Sequence, residues 1–148
     1  MKYLHLIAVL AVVCLVVFPA THARGETISK SKTLNLEKWE TVDLEVDGLV
    51  LKEVRFTTDT KGTTGRFGLS ATSGPYMTFV IYNNTAHEID YGIAVALFDK
   101  NGMLVTAGSF SHTGELDPGE RHEGTIVFGE VNRRYTEAVK YQLVLETY

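Results

Sequence analysis

Thr41-Val42-Asp43-Leu44-Glu45-Val46-Asp47 alternates polar and apolar residues one for one. In an extended strand successive side chains leave on opposite faces. The segment then has a dry face of Val42, Leu44 and Val46 and a wet face of Thr41, Asp43, Glu45 and Asp47. Wound as a helix of about 3.6 residues per turn, the same carboxylates fall on every side and no dry stripe forms. The strand reading wins here, and it wins again at the end of the chain. There Val139, Tyr141, Leu143 and Leu145 alternate with Lys140, Gln142 and Glu146.

Two segments between them are apolar on both faces and rich in aromatic and β-branched residues: Tyr76–Tyr82 and Ile93–Phe98. These read as central strands. Val50–Thr57, Leu104–Phe110 and Gly124–Val131 complete the set, with a shorter strand possible at Arg66–Ser70. One helical turn is expected at Asn132–Ala138, capped by Asn132. Turn chemistry joins the strands into hairpins. Asp47-Gly48 and Asn101-Gly102 tolerate the positive φ of tight hairpins. Asp117-Pro118-Gly119-Glu120 puts Pro second and Gly third, as a type II turn requires. Seven or eight short strands so spaced predict an all-β, two-layer antiparallel sandwich. An up-and-down barrel is the alternative closure.

The N-terminus differs in composition from this domain. Lys2 precedes an apolar run from Leu6 to Phe18, Pro19 ends the run, and Thr21-His22-Ala23 supplies small residues at −3 and −1. That is the pattern of a secretory signal peptide over residues 1–23, too short for a spanning helix of about 20 residues. An uncleaved membrane anchor is the alternative. Residues 24–31 are polar and unpatterned and are expected as a flexible lead-in to a single domain over 32–148. The chain's one cysteine, Cys14, lies in the leader, so the exported part has no disulfide and no thiol chemistry.

The 148 residues carry 14 Lys and Arg against 18 Asp and Glu, a net charge of −4. Removing the leader takes away Lys2 alone among these and leaves −5. An acidic balance argues against a nucleic-acid partner, which needs a basic surface. Three prolines and 13 glycines without a period exclude collagen-like and low-complexity classes.

The stretch 76–128 holds Tyr82-Asn83-Asn84-Thr85, then Val95-Ala96-Leu97-Phe98-Asp99, Asn101-Gly102 and Leu116-Asp117-Pro118-Gly119-Glu120. In this order it resembles the FxLYD family of immunoglobulin-like extracytoplasmic domains. Val95 stands where that family has its first Phe, and Phe98 where it has Tyr. The resemblance implies an immunoglobulin-like fold, no shared catalytic residues, and an accessory or interaction role at the cell envelope.

Candidate chemistry is sparse. His87-Glu88-Ile89-Asp90 offers three potential ligands in four residues, and His112 and His122 flank the Pro118-Gly119 turn and can meet across a hairpin. Zinc needs three or four ligands at about 2 Å. No HxxxH or HExxH spacing occurs, so these read as solvated loop histidines and no metal or cofactor is assigned. Ser70, Ser73, Ser109 and Ser111 are available as nucleophiles. However, Gly68-Leu69-Ser70-Ala71-Thr72 lacks the last Gly of a nucleophile elbow, and Ser111 and His112 point apart on a strand. Asn83-Asn84-Thr85 fits the glycosylation sequon. Tyr76 and Tyr82 share a strand face, with Tyr91 and Trp39 expected nearby, and such a row can stack on a ligand. Together these predict an exported, non-catalytic binding module acting through a sheet edge or through loops at 58–65, 83–90 and 111–122. The partner is an unidentified protein or envelope component. Membrane contact is expected only through an uncleaved leader. A metalloprotein or hydrolase, and a subunit assembling by strand exchange, are the alternatives.

Overall fold

The computed structural model describes residues 26–58, 74–128 and 133–148. It contains eight strands: β1 (Thr27–Thr33), β2 (Trp39–Val46), β3 (Leu49–Thr57), β4 (Tyr76–Asn83), β5 (Ile89–Asp99), β6 (Leu104–Leu116), β7 (Arg121–Val127) and β8 (Ala138–Thr147). A 3-10 turn at Arg133–Glu137 stands where the helical turn is expected. The expected leader, the possible strand at Arg66–Ser70, Ser70 and Ser73, most of the 58–65 loop and the Asn132 cap lie outside the described residues. Among the described residues no helix is long and apolar enough to cross a membrane.

The strands form two antiparallel sheets in the orders β1-β8-β5-β6 and β2-β3-β4-β7. Non-consecutive neighbours rule out the up-and-down barrel, which pairs each strand with the next. Two pairings interlock: β4 with β7 in one sheet and β5 with β8 in the other. This is the B–E and C–F arrangement of an immunoglobulin-like sandwich. β3 takes the place of the first strand and β6 that of C′. β1, from the N-terminus, lies beside β8 where such a sandwich has its last strand.

Local chemistry explains the joints. Asp47 and Gly48 have φ of 49° and 81°, the two positive values of a type I′ turn, and Val46 pairs Leu49 across it. Asp99 Oδ1 accepts from the N–H groups of Asn101 and Met103 at 2.8 and 2.9 Å and so shapes the β5–β6 hairpin. The inward residues of both sheets, among them Leu51, Phe56, Phe79, Tyr91, Leu97 and Tyr141, are fully buried and form one core.

Four boundaries differ from expectation. The strand expected at Gly124–Val131 is β7, Arg121–Val127, which starts three residues early because Arg121–Glu123 pair with β4; 129–131 lie outside the described residues. The domain begins at Thr27, inside the expected lead-in, because Lys30 and Lys32 turn inward and donate to the carbonyls of Val42 and Thr41, each at 2.6 Å. β5 begins at Ile89, four residues early, and β6 runs on to Leu116. Pairing Ile89 with Leu116 and Tyr91 with His112 extends both strands beyond their apolar stretches. The expected 111–122 loop is therefore two strand ends joined by a tight turn.

A histidine pair at the lip of the sandwich

β6 and β7 are the edge strands of opposite sheets. They are joined by the turn in which Glu120 N–H donates to the Asp117 carbonyl at 3.0 Å and Gly119 has φ of 78°. Phe110 and His112 occupy alternate positions on the inward side of β6, and His122, Gly124 and Ile126 on that of β7. Gly124 is needed there, since a Cβ would overlap the Phe79 ring. With the space open, Phe79 packs edge-on against Phe110 at 5.1 Å between centroids.

Above this packing the two histidines meet. Their ring centroids are 4.7 Å apart with planes at 51°. Tyr91, buried on β5, stacks on His112 at 5.2 Å and brings its hydroxyl to 2.6 Å from His122 Nδ1. Burial lowers the pKa of His122, and the neighbouring His112 lowers it further, while Glu120 pulls the other way. The Tyr91 hydroxyl is pushed up, first by burial and then by the Glu120 charge. At neutral pH the cluster is thus a neutral imidazole held by a neutral phenol. His112 and His122 meet, but not across a hairpin as expected, because β6 and β7 belong to opposite sheets and share no ladder. Their placement on strands corrects the expected solvated loop: both are half-buried.

The other candidates do not assemble. His87 is exposed, and among the described residues its backbone alone is engaged: its carbonyl accepts from Asn83 Nδ2 at 2.8 Å and Thr85 Oγ1 at 2.6 Å. Glu88 is raised in pKa because Glu115, and then Asp117, share its surroundings. Asp90 lies in β5 and accepts the Glu115 N–H at 3.2 Å. Among the described residues no three His, Cys, Asp or Glu side chains converge as metal ligands. Tyr76 and Tyr82 sit half-buried on the outer face of β4, six residues and thus roughly 20 Å apart. Tyr91 is inside the other sheet, so the expected aromatic row does not form. Ser111 bonds Tyr148 on the outer face at 2.7 Å, away from His112 inside.

Asn83 was legible only as a sequon. It is wholly buried, and its Nδ2 donates to the His87 and Leu116 carbonyls while its Oδ1 accepts from Thr85 N and Oγ1. A glycan on Nδ2 would take one of the two N–H groups that make these donations; the amide as it stands is the clamp of the 83–88 loop.

No protein-family model matches the chain, and no curated protein matches it. Among solved structures, the K1 cleaved adhesin domain of Lys-gingipain from Porphyromonas gingivalis W83 overlaps 83% of this chain and 95% of its own length, at 9% identity and a TM-score of 0.18. A superposition that loose decides neither fold nor function.

Proposed function

We propose that the chain is an exported, non-catalytic binding module that accepts an extended segment of a partner polypeptide on the free edge of β6. One observation carries this reading: among the described residues, of the four sheet edges only that of β6 is unguarded. β1 and β2 are tied together by the inward ammonium groups of Lys30 and Lys32 on β2 carbonyls. β2 is further broken by a register shift between Thr41 and Leu44, where Asp43 takes φ of 48°. β7 is seven residues long and carries Arg121 and Glu123. Inward charges, bulges and short charged edges are the means by which sheets refuse added strands.

β6 has none of these over most of its length. It spans 13 residues, with no Lys, Arg, Asp, Glu or Pro from Leu104 to Gly114. Its ladder with β5 runs without irregularity from Thr106 to Ser111. Ala107, Ser109 and Ser111 are exposed and small. Among the described residues no backbone hydrogen bond reaches its outer side. A partner strand there gains main-chain hydrogen bonds along the edge and reads alternate side chains for specificity. The leader pattern and the resemblance to FxLYD domains support an extracytoplasmic setting.

The test is a photo-crosslinking residue placed in turn at Ser109, Glu88 and Trp39 in cells that express the chain. The expected result is a discrete adduct from Ser109 alone, abolished by Ala107→Lys. Adducts from Glu88 or Trp39 that survive Ala107→Lys would overturn the edge reading in favour of loops or the opposite sheet.

A further inference from the structure

His112 and His122 come from different sheets and share no ladder, yet the sandwich closes so that their imidazoles face each other at its lip. We propose that the two rings form a bidentate site for a divalent transition-metal ion, with Cu(II) held most tightly.

The spacing fits coordination. An ion about 2.0 Å from one nitrogen of each ring lies roughly 3 Å from each centroid, and cis ligation at about 90–110° then separates the centroids by roughly 4.5–5 Å. The observed separation is 4.7 Å.

The nitrogens are disposed for it as well. His122 Nδ1 is engaged by the Tyr91 hydroxyl, which leaves Nε2. In the tautomer whose Nδ1–H donates to the phenol oxygen the Nε2 lone pair is free, and the hydroxyl holds the ring's orientation. His112 makes no hydrogen bond through its ring nitrogens among the described residues. A Cβ on Gly114 would lie 3.9 Å from its Cε1 and Nε2, so the glycine leaves that edge of the ring open. The Glu120 charge acts on both Tyr91 and His122 and supplies a negative field at the lip.

A donor set of two imidazoles selects the ion class. Imidazole suits Cu, Ni and Zn, while Mg and Ca prefer oxygen, and Cu(II) heads the affinity order of the divalent series. Because no third protein ligand converges among the described residues, water completes the sphere and the ion stays exchangeable. The ion binds through imidazole lone pairs and enters by displacing water, with no change of oxidation state. The site stands whether or not β6 accepts a partner.

The experiment titrates untagged, chelator-stripped protein with Cu(II) alone at pH 7.5, followed by calorimetry and by electron paramagnetic resonance. One equivalent is expected, with hyperfine structure from two nitrogens. His112→Gln and His122→Gln each weaken binding at least tenfold, and His87→Gln leaves it unchanged. Tyr91→Phe keeps the ring and loses the orienting hydroxyl, for about a tenfold loss. Paramagnetic broadening of assigned resonances in the unmutated protein locates the ion independently of any variant. Broadening centred on His112 and His122 supports the site. Broadening centred on His87, or Cu(II) affinity equal in the two lip variants and the parent, overturns it.

Discussion

Protonation of His122 puts a charge beside His112 and among Tyr91, Phe79 and Phe110, in a place that burial has already made poor for ions. Its folded pKa lies below the value of about 6.5 that it has in an unfolded chain. The unfolded state therefore takes up the proton first as pH falls. The contribution of neutral His122 to stability is present above about pH 6.5 and is lost as pH drops through the lower folded value. Glu88 acts in the opposite direction, because its raised pKa makes the folded state the better proton binder as pH falls. The comparison must therefore isolate the histidine. Urea midpoints measured from pH 7.5 to 5 should decline more steeply for the parent than for His122→Gln. Parallel curves would show that the ring titrates as it does in the unfolded chain.

Gly124 shows what a single position asks of a strand. A Cβ there enters the Phe79 ring, so Gly124→Ala must displace either Phe79 or β7, at a cost of about 1–3 kcal/mol. Gly114→Ala on β6 meets only the His112 ring at 3.9 Å, an ordinary contact. Thermal denaturation should separate the two by several degrees, and equal midpoints would mean that β7 is looser than its packing suggests. Such close approaches leave no trace in a pattern of apolar and polar letters. What the pattern does record is burial on one face. β2, β3, β4 and β8 were legible because most of what each turns to the core is apolar, although a bulge after Leu51 shifts β3 by one residue and Val139, expected on the dry face of β8, is exposed. β1 was not, because two lysines stand where apolar residues would mark the inward face, and they work by hydrogen bonding to β2. The far half of β6 was not, because Ser111–Glu115 owes its strand conformation to pairing with β5 rather than to its own composition. The site divides in the same way. The short connection between His112 and His122 made their proximity legible, but not that it joins opposite sheets. Tyr91, which orients one of them, read as a neighbour of an aromatic row on another strand, and Asn83 as a sequon.

At the scale of the molecule the two ends of the chain complete one another. β1 pairs β8 through seven register positions, and the last of the ladder is continued by Thr147 N–H donating to the Glu26 carbonyl at 3.2 Å. In an immunoglobulin-like sandwich the strand in this place follows β8 in sequence; here it is supplied from the opposite terminus, so sheet closure waits for both ends. Without β1, β8 becomes an edge. The side chains it turns inward, Tyr141, Leu143 and Leu145, are wholly buried, and β8 has no inward charge to guard it. At about 1 kcal/mol net per ladder hydrogen bond, the loss is on the order of 5 kcal/mol, comparable with the whole stability of an ordinary domain. A chain that begins at Leu34 should therefore melt far below the parent and form oligomers through its bared β8 edge. Adding a peptide of the Glu26–Thr33 sequence should return it to a monomeric, cooperatively melting species, because the peptide restores both the ladder and the two lysine clamps on β2. Light scattering and far-ultraviolet circular dichroism during heating read both effects. A truncated chain that stays monomeric and melts with the parent would show that β8 closes the sheet unaided. A peptide with Lys30 and Lys32 replaced by alanine then separates the ladder from the clamps: rescue by it alone assigns closure to the backbone pairing, and failure assigns it to the bridge between the sheets.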